Sequence, residues 1–245
     1  MVFSSLTFLF YFLPLFLAGM LVVDGTRWKT HFLTAISLVF YAWGEPLFVV
    51  VMLASIVGNH WAGLRLERGG GVPFLWFSIG ANLAMLALLK YAAFLLGSVS
   101  AVLPVPAAWL TLAERIPLPI GISFFTFQSI SYLVDIHRRE LPAQRSLVVY
   151  AAYISVFPQL IAGPIVRYAE IRLDLEEPRR TRTEDMVSGL RLFAVGLCVK
   201  VLFANPLGQV AAKSSGSRLP RWRSPARGWD RAAPLRSFWF RLHAP

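Results

Sequence analysis

The first 23 residues, MVFSSLTFLFYFLPLFLAGMLVV, contain no charged side chain. An apolar run of about 20 residues crosses the hydrocarbon core of a bilayer as a helix. In lipid the helix satisfies its backbone N–H and C=O groups within the segment itself. Further apolar runs follow at Phe32–Trp43, Pro46–Leu64, Pro73–Leu96, Pro119–Asp135, Leu147–Ile165 and Met186–Ala204. Together they specify an all-α fold, a polytopic transmembrane helical bundle. Composition agrees, at 56% hydrophobic and 15% charged, whereas soluble domains carry about 25% charged residues. The first run has no basic residue ahead of it and no small-residue cleavage site after it. Asp24, Arg27, Trp28 and Lys29 come next, so it reads as a retained span rather than a signal peptide.

The runs differ in regularity. Phe32–Trp43 and Pro46–Leu64 flank Gly44-Glu45-Pro46 and form either a tilted hairpin or one broken helix. Pro73–Leu96 reads as a clean span whose Lys90 snorkels to the interface. Gly97–Ile116, with Pro104 and Pro106, reads as a loop carrying an interfacial segment around Trp109 and Leu110. Leu147–Ile165 is interrupted by Pro158, Gly163 and Pro164, and it either spans or re-enters. Arg167–Asp185 is polar and lies outside the bilayer core. Thr183 is the N-cap candidate of the last helix, with Glu184 and Asp185 in its first turn. The expected organisation is a membrane domain over 1–212, with about six or seven membrane segments, and an irregular basic tail over 213–245.

Basic residues test the orientation, since short cytoplasmic loops are enriched in Lys and Arg. Arg27, Lys29, Arg65, Arg68, Arg138, Arg139 and Arg145 share one side if 32–64 goes out and back. Arg167, Arg172, Arg179, Arg180 and Arg182 join them only if 147–165 dips in and returns. Irregular backbone at that depth survives only when buried in protein or lining a watery cavity. The net charge of +11 is concentrated in the tail: residues 1–212 hold 16 Lys and Arg against 12 Asp and Glu, whereas 213–245 hold eight against one. The partner implied is the lipid bilayer, not nucleic acid.

The most informative run is GISFFTFQSISYLVD, Gly121–Asp135, taken as a helix. Phe124, Gln128, Ser131 and Asp135 follow helical spacing and share a face, with Tyr132 beside them. A polar stripe facing lipid is costly, so it faces protein or water. Two readings stand: hydrogen bonds that glue helices together, or the lining of a substrate path. Asp135 has a third, as an ion pair with Arg138 or Arg139 at the membrane surface. Gln159, between Pro158 and the Gly163-Pro164 break, belongs to a kinked helix end or to a re-entrant elbow. The candidate path residues are therefore Gln128, Ser131, Tyr132, Asp135 and Gln159. The histidines are His31, His60, His137 and His243. None reads as mid-span in a polar setting, so none is assigned as a general base. No metal or phosphate-cradling motif occurs. Cys198, in an apolar helix, reads as an inert packed thiol.

Several phrases carry a resemblance. MVFSSLTFLFYFLPLF (Met1–Phe16), SLVFYAWGEPLF (Ser37–Phe48), LPIGISFFTFQSISYLVDIHR (Leu118–Arg138), FPQLIAGPIVRY (Phe157–Tyr168) and VKVLFANPLGQVA (Val199–Ala211) resemble the membrane-bound O-acyltransferase family. The likeness is greatest to its bacterial branch that acetylates exported polysaccharides such as alginate. It implies a multi-pass bacterial inner-membrane enzyme. Acetyl would pass from acetyl-CoA or a similar donor, a substrate rather than a bound cofactor, to an exopolysaccharide hydroxyl through periplasmic partner proteins. The family's invariant histidine lies in a C-terminal half whose FDFSGYSDMA-like and WRRWHISLS-like motifs this sequence does not contain. The resemblance thus assigns no catalytic residue here and implies a partial fold with no activity on its own. Beyond Ala212 the tail, with eight basic residues, four prolines and three tryptophans, has no period. It reads as a disordered basic tail or as a shifted frame. The alternative function is a transporter or non-catalytic membrane scaffold, which would show matching broken helices in two halves.

Overall fold

The computed structural model describes residues 5–100, 106, 109, 121–163, 165–177 and 180–208. Among these every regular element is helical. The chain divides into two units, Met1–Arg182 and Thr183–Pro245.

In the first unit a π-helical turn, Phe8–Phe12, runs into α1, Leu13–Val22. After the Asp24–Trp28 turn comes α2, Lys29–Gly44. Helix α2 stops at Glu45 because Pro46 cannot continue the hydrogen-bond ladder, and α3, Phe48–Glu67, turns back from there. The 32–64 region is thus a helical hairpin. Helix α4, Val72–Lys90, opens with Pro73 in its first turn, where a missing N–H costs nothing. The expected single span over 73–96 is broken at Tyr91, and α5 is a separate helix, Ala92–Ser100. Lys90 marks the break, with Nζ donating to Ser123 Oγ (2.9 Å) and lying over the Tyr91 ring. Gly97–Ser100, expected as loop, ends this helix. Most of the remaining loop lies outside the described residues, and Trp109 is exposed.

Helix α6, Ile122–His137, is the hub. It packs against α3 and α4, and against α7 (Leu147–Ser155), α8 (Phe157–Ala162) and α9 (Tyr168–Glu176). It is therefore buried on most of its circumference rather than along one stripe. Phe125, Thr126, Gln128, Ser129, Tyr132, Leu133, Asp135 and Ile136 are all buried. The face drawn through Phe124, Gln128, Ser131 and Asp135 is split: Phe124 and Ser131 are only half-buried. Gly121, at φ +79°, begins α6. A Cβ there would lie 2.8 Å from the carbonyl oxygen of Leu160 on α8.

A phenylalanine cluster fixes the α7–α8 elbow. Phe12, Phe16 and Phe40 surround Phe157 with ring centroids 5.1–5.3 Å away. Helix α7 starts with Ser146 Oγ capping the N–H of Val149 and breaks at Val156. Its first turn lies against α2, where Val148 O accepts from Thr34 Oγ1. After α8 the chain reaches Arg167, which pairs with Asp135 and Glu140 at the far end of α6. Glu67 at the end of α3 meets Ala143 and Arg145, and Asp24 and Lys29 meet Thr181. The ends of α1, α3 and α6 and the starts of α2 and α7 thus form one charged end.

Among the described residues, three helices are long and apolar enough to cross a membrane: Phe48–Glu67, Val72–Lys90 and Thr183–Gly208. The first two are inside-out relative to a soluble fold. Val50, Trp61, Trp76 and Phe77 face outward, whereas Ser55, Asn59, Ser78 and Asn82 are buried. Sixteen-residue α2 and α6 reach only about 24 Å.

In the second unit, α10 is Thr183–Val199, followed by a π-helical turn, Lys200–Ala204. Thr183 is the first helical residue rather than the cap, with Glu184 and Asp185 in the first turn. Cys198, expected to be packed, is exposed. The tail from 213 lies outside the described residues.

Candidate functional site

Polar groups of α6 meet those of α7 and α9 inside the bundle. Its frame is four tyrosines, Tyr132, Tyr150, Tyr153 and Tyr168, each fully buried. Tyr132 lies 4.7 Å from Tyr150 and 5.4 Å from Tyr168, centroid to centroid, and Tyr153 lies 5.1 Å from Tyr168. Buried phenols need hydrogen-bond partners, and all four have them. Tyr132 Oη accepts from the backbone N–H of Gln144 (2.9 Å), and Tyr150 donates to Ser129 Oγ. Tyr153 donates to Val166 O and, more weakly, to Gln128 O. Tyr168 accepts from Gln144 Nε2 (2.7 Å) and donates to Glu176 Oε1 (3.1 Å). Arg172 Nε closes the network on both Glu176 oxygens. Burial holds the Tyr168 phenol above its ordinary range, so it stays a neutral donor.

Asp135 is 2% exposed. Its Oδ1 accepts from Arg167 Nη2 at 2.5 Å, and the same guanidinium reaches Glu140 Oε2 at 3.0 Å. The hydrogen bond from Arg167 to Asp135 raises the guanidinium pKa further. The nearby arginines are not the partners: Arg138 lies 3.8 Å from Glu140, and Arg139 makes no ion pair among the described residues. Sequence proximity suggested otherwise because α6 ends at His137 and the chain turns away there.

The other candidates are less satisfied. Gln128 is 1% exposed and its Oε1 has no partner; Asp135 Oδ2 and the half-buried Gln159's Nε2 are also buried without one. Ser131 is half-buried. Thr126, not singled out from sequence, is fully buried with an unpartnered hydroxyl. Leaving a buried polar group unsatisfied costs about 1–3 kcal/mol. The bundle therefore combines a satisfied tyrosine frame with unpartnered polar atoms on α6 and α8. Among the described residues, no group of three or more His, Cys, Asp or Glu is placed to hold a metal ion.

His60 sits differently from its sequence reading. Helix α3 continues to Glu67, so His60 lies inside the span. Its Nε2 is buried without a partner, and its ring is 5.9 Å from that of Tyr150. His31 is exposed, with Nδ1 against Arg27 O, and His243 lies outside the described residues. Sequence reasoning also missed the reciprocal amide pair of Asn59 and Asn82 (2.7 and 3.1 Å) between α3 and α4. The available signal was one asparagine in each of two otherwise apolar helices.

Over most of its length the chain is similar in sequence to curated bacterial proteins described as O-acetylases or O-acetyltransferases. It is 37% identical over 217 residues to a "Probable alginate O-acetylase AlgI" of Pseudomonas putida, covering 86% of this chain and 44% of that protein. Identity to the similarly described protein of Azotobacter vinelandii is 38% over 216 residues, with 86% and 43% covered. A peptidoglycan O-acetyltransferase of Helicobacter pylori is 28% identical over 241 residues, with 84% and 45% covered. The chain thus spans less than half the length of the curated relatives it matches. No family model and no solved structure matches it.

Proposed function

We propose that this chain is part of a bacterial inner-membrane O-acetyltransferase. Acetyl from acetyl-CoA or a similar donor passes to hydroxyls of an exported polysaccharide such as alginate, with periplasmic proteins as partners. The observation that carries the reading is the 36–38% identity to five alginate O-acetylases over 86% of the chain. The unpartnered polar atoms inside the bundle support it, since an acyl path through a membrane needs polar groups left available to its guest.

In this reading Gln128, Ser131, Tyr132, Asp135 and Gln159 line the path, and Tyr132 does so as part of its wall. The segment 147–165 is re-entrant, with Phe157 at its inner elbow and Arg167 back at the charged end. Transfer requires the acceptor oxygen to attack the acetyl carbonyl while its proton moves to a base and the donor's leaving group departs. No residue of this chain is assigned as that base. It belongs to the histidine motif that the resemblance places elsewhere in the family.

The test is acetylation of polysaccharide in cells lacking their own acetylase. The chain is co-expressed with the remaining length of one alginate acetylase relative. Acetylation is expected to return and to fall about tenfold or more in Gln128→Leu and Gln159→Leu, the effect of losing one guest hydrogen bond. Uptake of solute into proteoliposomes, with no acetylation, would favour a transporter instead.

A further inference from the structure

Two helices finish side by side at the charged end. Helix α3 closes with Gly69 N donating to Leu66 O and Gly70 N to Arg65 O, with Gly69 at φ +107°. Helix α6 closes in the same way: Arg139 N donates to Ile136 O, Glu140 N to Asp135 O, and Arg139 sits at φ +60°. This paired-bond ending has a left-handed residue that is usually glycine, because an L side chain is disfavoured there. Arg139 is the only non-glycine residue at positive φ among the described residues. The negative end of a helix favours a nearby cation, but Arg138 in the preceding position already supplies one without that conformation. The outlier therefore points to a task for the Arg139 side chain itself.

A cavity of about 470 Å³ lies between the two endings, lined in part by Glu67, Gly69, Gly70, His137, Arg139 and Glu140. Its two carboxylates have cationic partners. Glu67 accepts from Ala143 N and pairs with Arg145, and Glu140 pairs with Arg167. The carbonyls of Leu66 and Ile136 hold the helix-ending bonds. Its donors are not engaged: neither the Arg139 nor the His137 side chain makes a hydrogen bond or ion pair among the described residues. These free donors suit a guest that brings acceptors and negative charge.

We propose that this cavity binds a phosphate-bearing anion, with the Arg139 guanidinium as its principal contact and His137 as a second donor. A guanidinium fork matches two phosphate oxygens at once. Because α3 is long enough to cross a bilayer, its end falls near headgroup depth. The phosphate is then that of a phospholipid or of a soluble phosphoester. The inference does not depend on acyl transfer.

The test uses the full purified chain with two probes. Phosphatidylglycerol is offered in phosphatidylcholine nanodiscs and counted by native mass spectrometry. Inorganic pyrophosphate is titrated by calorimetry in zwitterionic detergent. Retained phosphatidylglycerol alone identifies a lipid headgroup, and pyrophosphate binding identifies a soluble phosphoester. Arg139→Gly is the decisive variant, because glycine suits the left-handed position. It is expected to melt no lower than the parent and to bind the probe about tenfold or more weakly, as for loss of one charge-assisted contact. Arg139→Gln serves the same purpose should the glycine variant melt lower. Binding of neither probe by the parent, or undiminished binding by a folded variant, overturns the proposal.

Discussion

Asp135 and Arg167 are unequal partners, and the difference is testable. The carboxylate is almost fully buried, whereas the guanidinium is 47% exposed. Arg167→Ala leaves a buried carboxylate with neither oxygen paired. A loss of about 2 kcal/mol is expected, below the usual cost of breaking a fully buried pair because solvent already screens one partner. Asp135→Asn removes the charge instead and should cost about 1 kcal/mol. Thermal melts of both variants in one detergent check the order; a more damaging Asp135→Asn would reject it. Thr126→Val removes an unpartnered hydroxyl at nearly constant volume. It should leave stability unchanged or raise it by about 1 kcal/mol. A clear loss of stability would mean that the hydroxyl has a bound partner. Asp24 supplies the pH-dependent contact. Its hydrogen bonds with Lys29 and Thr181 hold its pKa at about 2, below the ordinary 3.8. A depressed carboxyl pKa contributes stability that is complete above the ordinary value and disappears as pH falls through the depressed one. Protection of the Thr181 amide against hydrogen exchange should therefore fade between pH 3.8 and about 2. In Asp24→Asn that dependence should vanish.

At the scale of elements, polar residues within apolar helices join the bundle together. The Asn59–Asn82 pair ties α3 to α4 across a groove of about 530 Å³. Replacing one asparagine by leucine strands the other, so each single variant should cost more than half of the double. The cycle should give a coupling of about 1 kcal/mol, near the scale for interhelical hydrogen bonds in membranes. Gly121→Ala should cost about 1–3 kcal/mol, since the new methyl meets Leu160 O in a left-handed backbone. These elements were only partly legible in the sequence. Helices were evident from apolar runs because lipid leaves the backbone little choice. The Tyr91 break was not, because the apolar run continues across it. The stripe on α6 was drawn through two buried and two half-buried residues because helical spacing fixes which residues share a face, not how many neighbours surround the helix.

At the scale of the molecule, the charged end gathers residues far apart in sequence. Its geometry makes a topological prediction for the proposed re-entrant segment. In a Cys198→Ser background, cysteines at Arg145 and Val166 should react with an impermeant reagent from the same side, and one at Leu47 from the other. Labelling of 145 and 166 from opposite sides would show that the intervening segment spans. Composition and apolar run length by themselves determined that this chain forms membrane helices, because each depends on local segments in a uniform solvent. Sequence phrases such as PIGISFFTFQ and PQLIAGPI carried the family resemblance. Only the tertiary structure decided which polar groups are satisfied. Asp135 finds Arg167, 32 residues on, and four tyrosines from three helices share one interior. Gln128 and Gln159 are left with unmet hydrogen bonds. Those outcomes depend on how helices approach one another in space, and residue spacing along a single helix does not encode that approach.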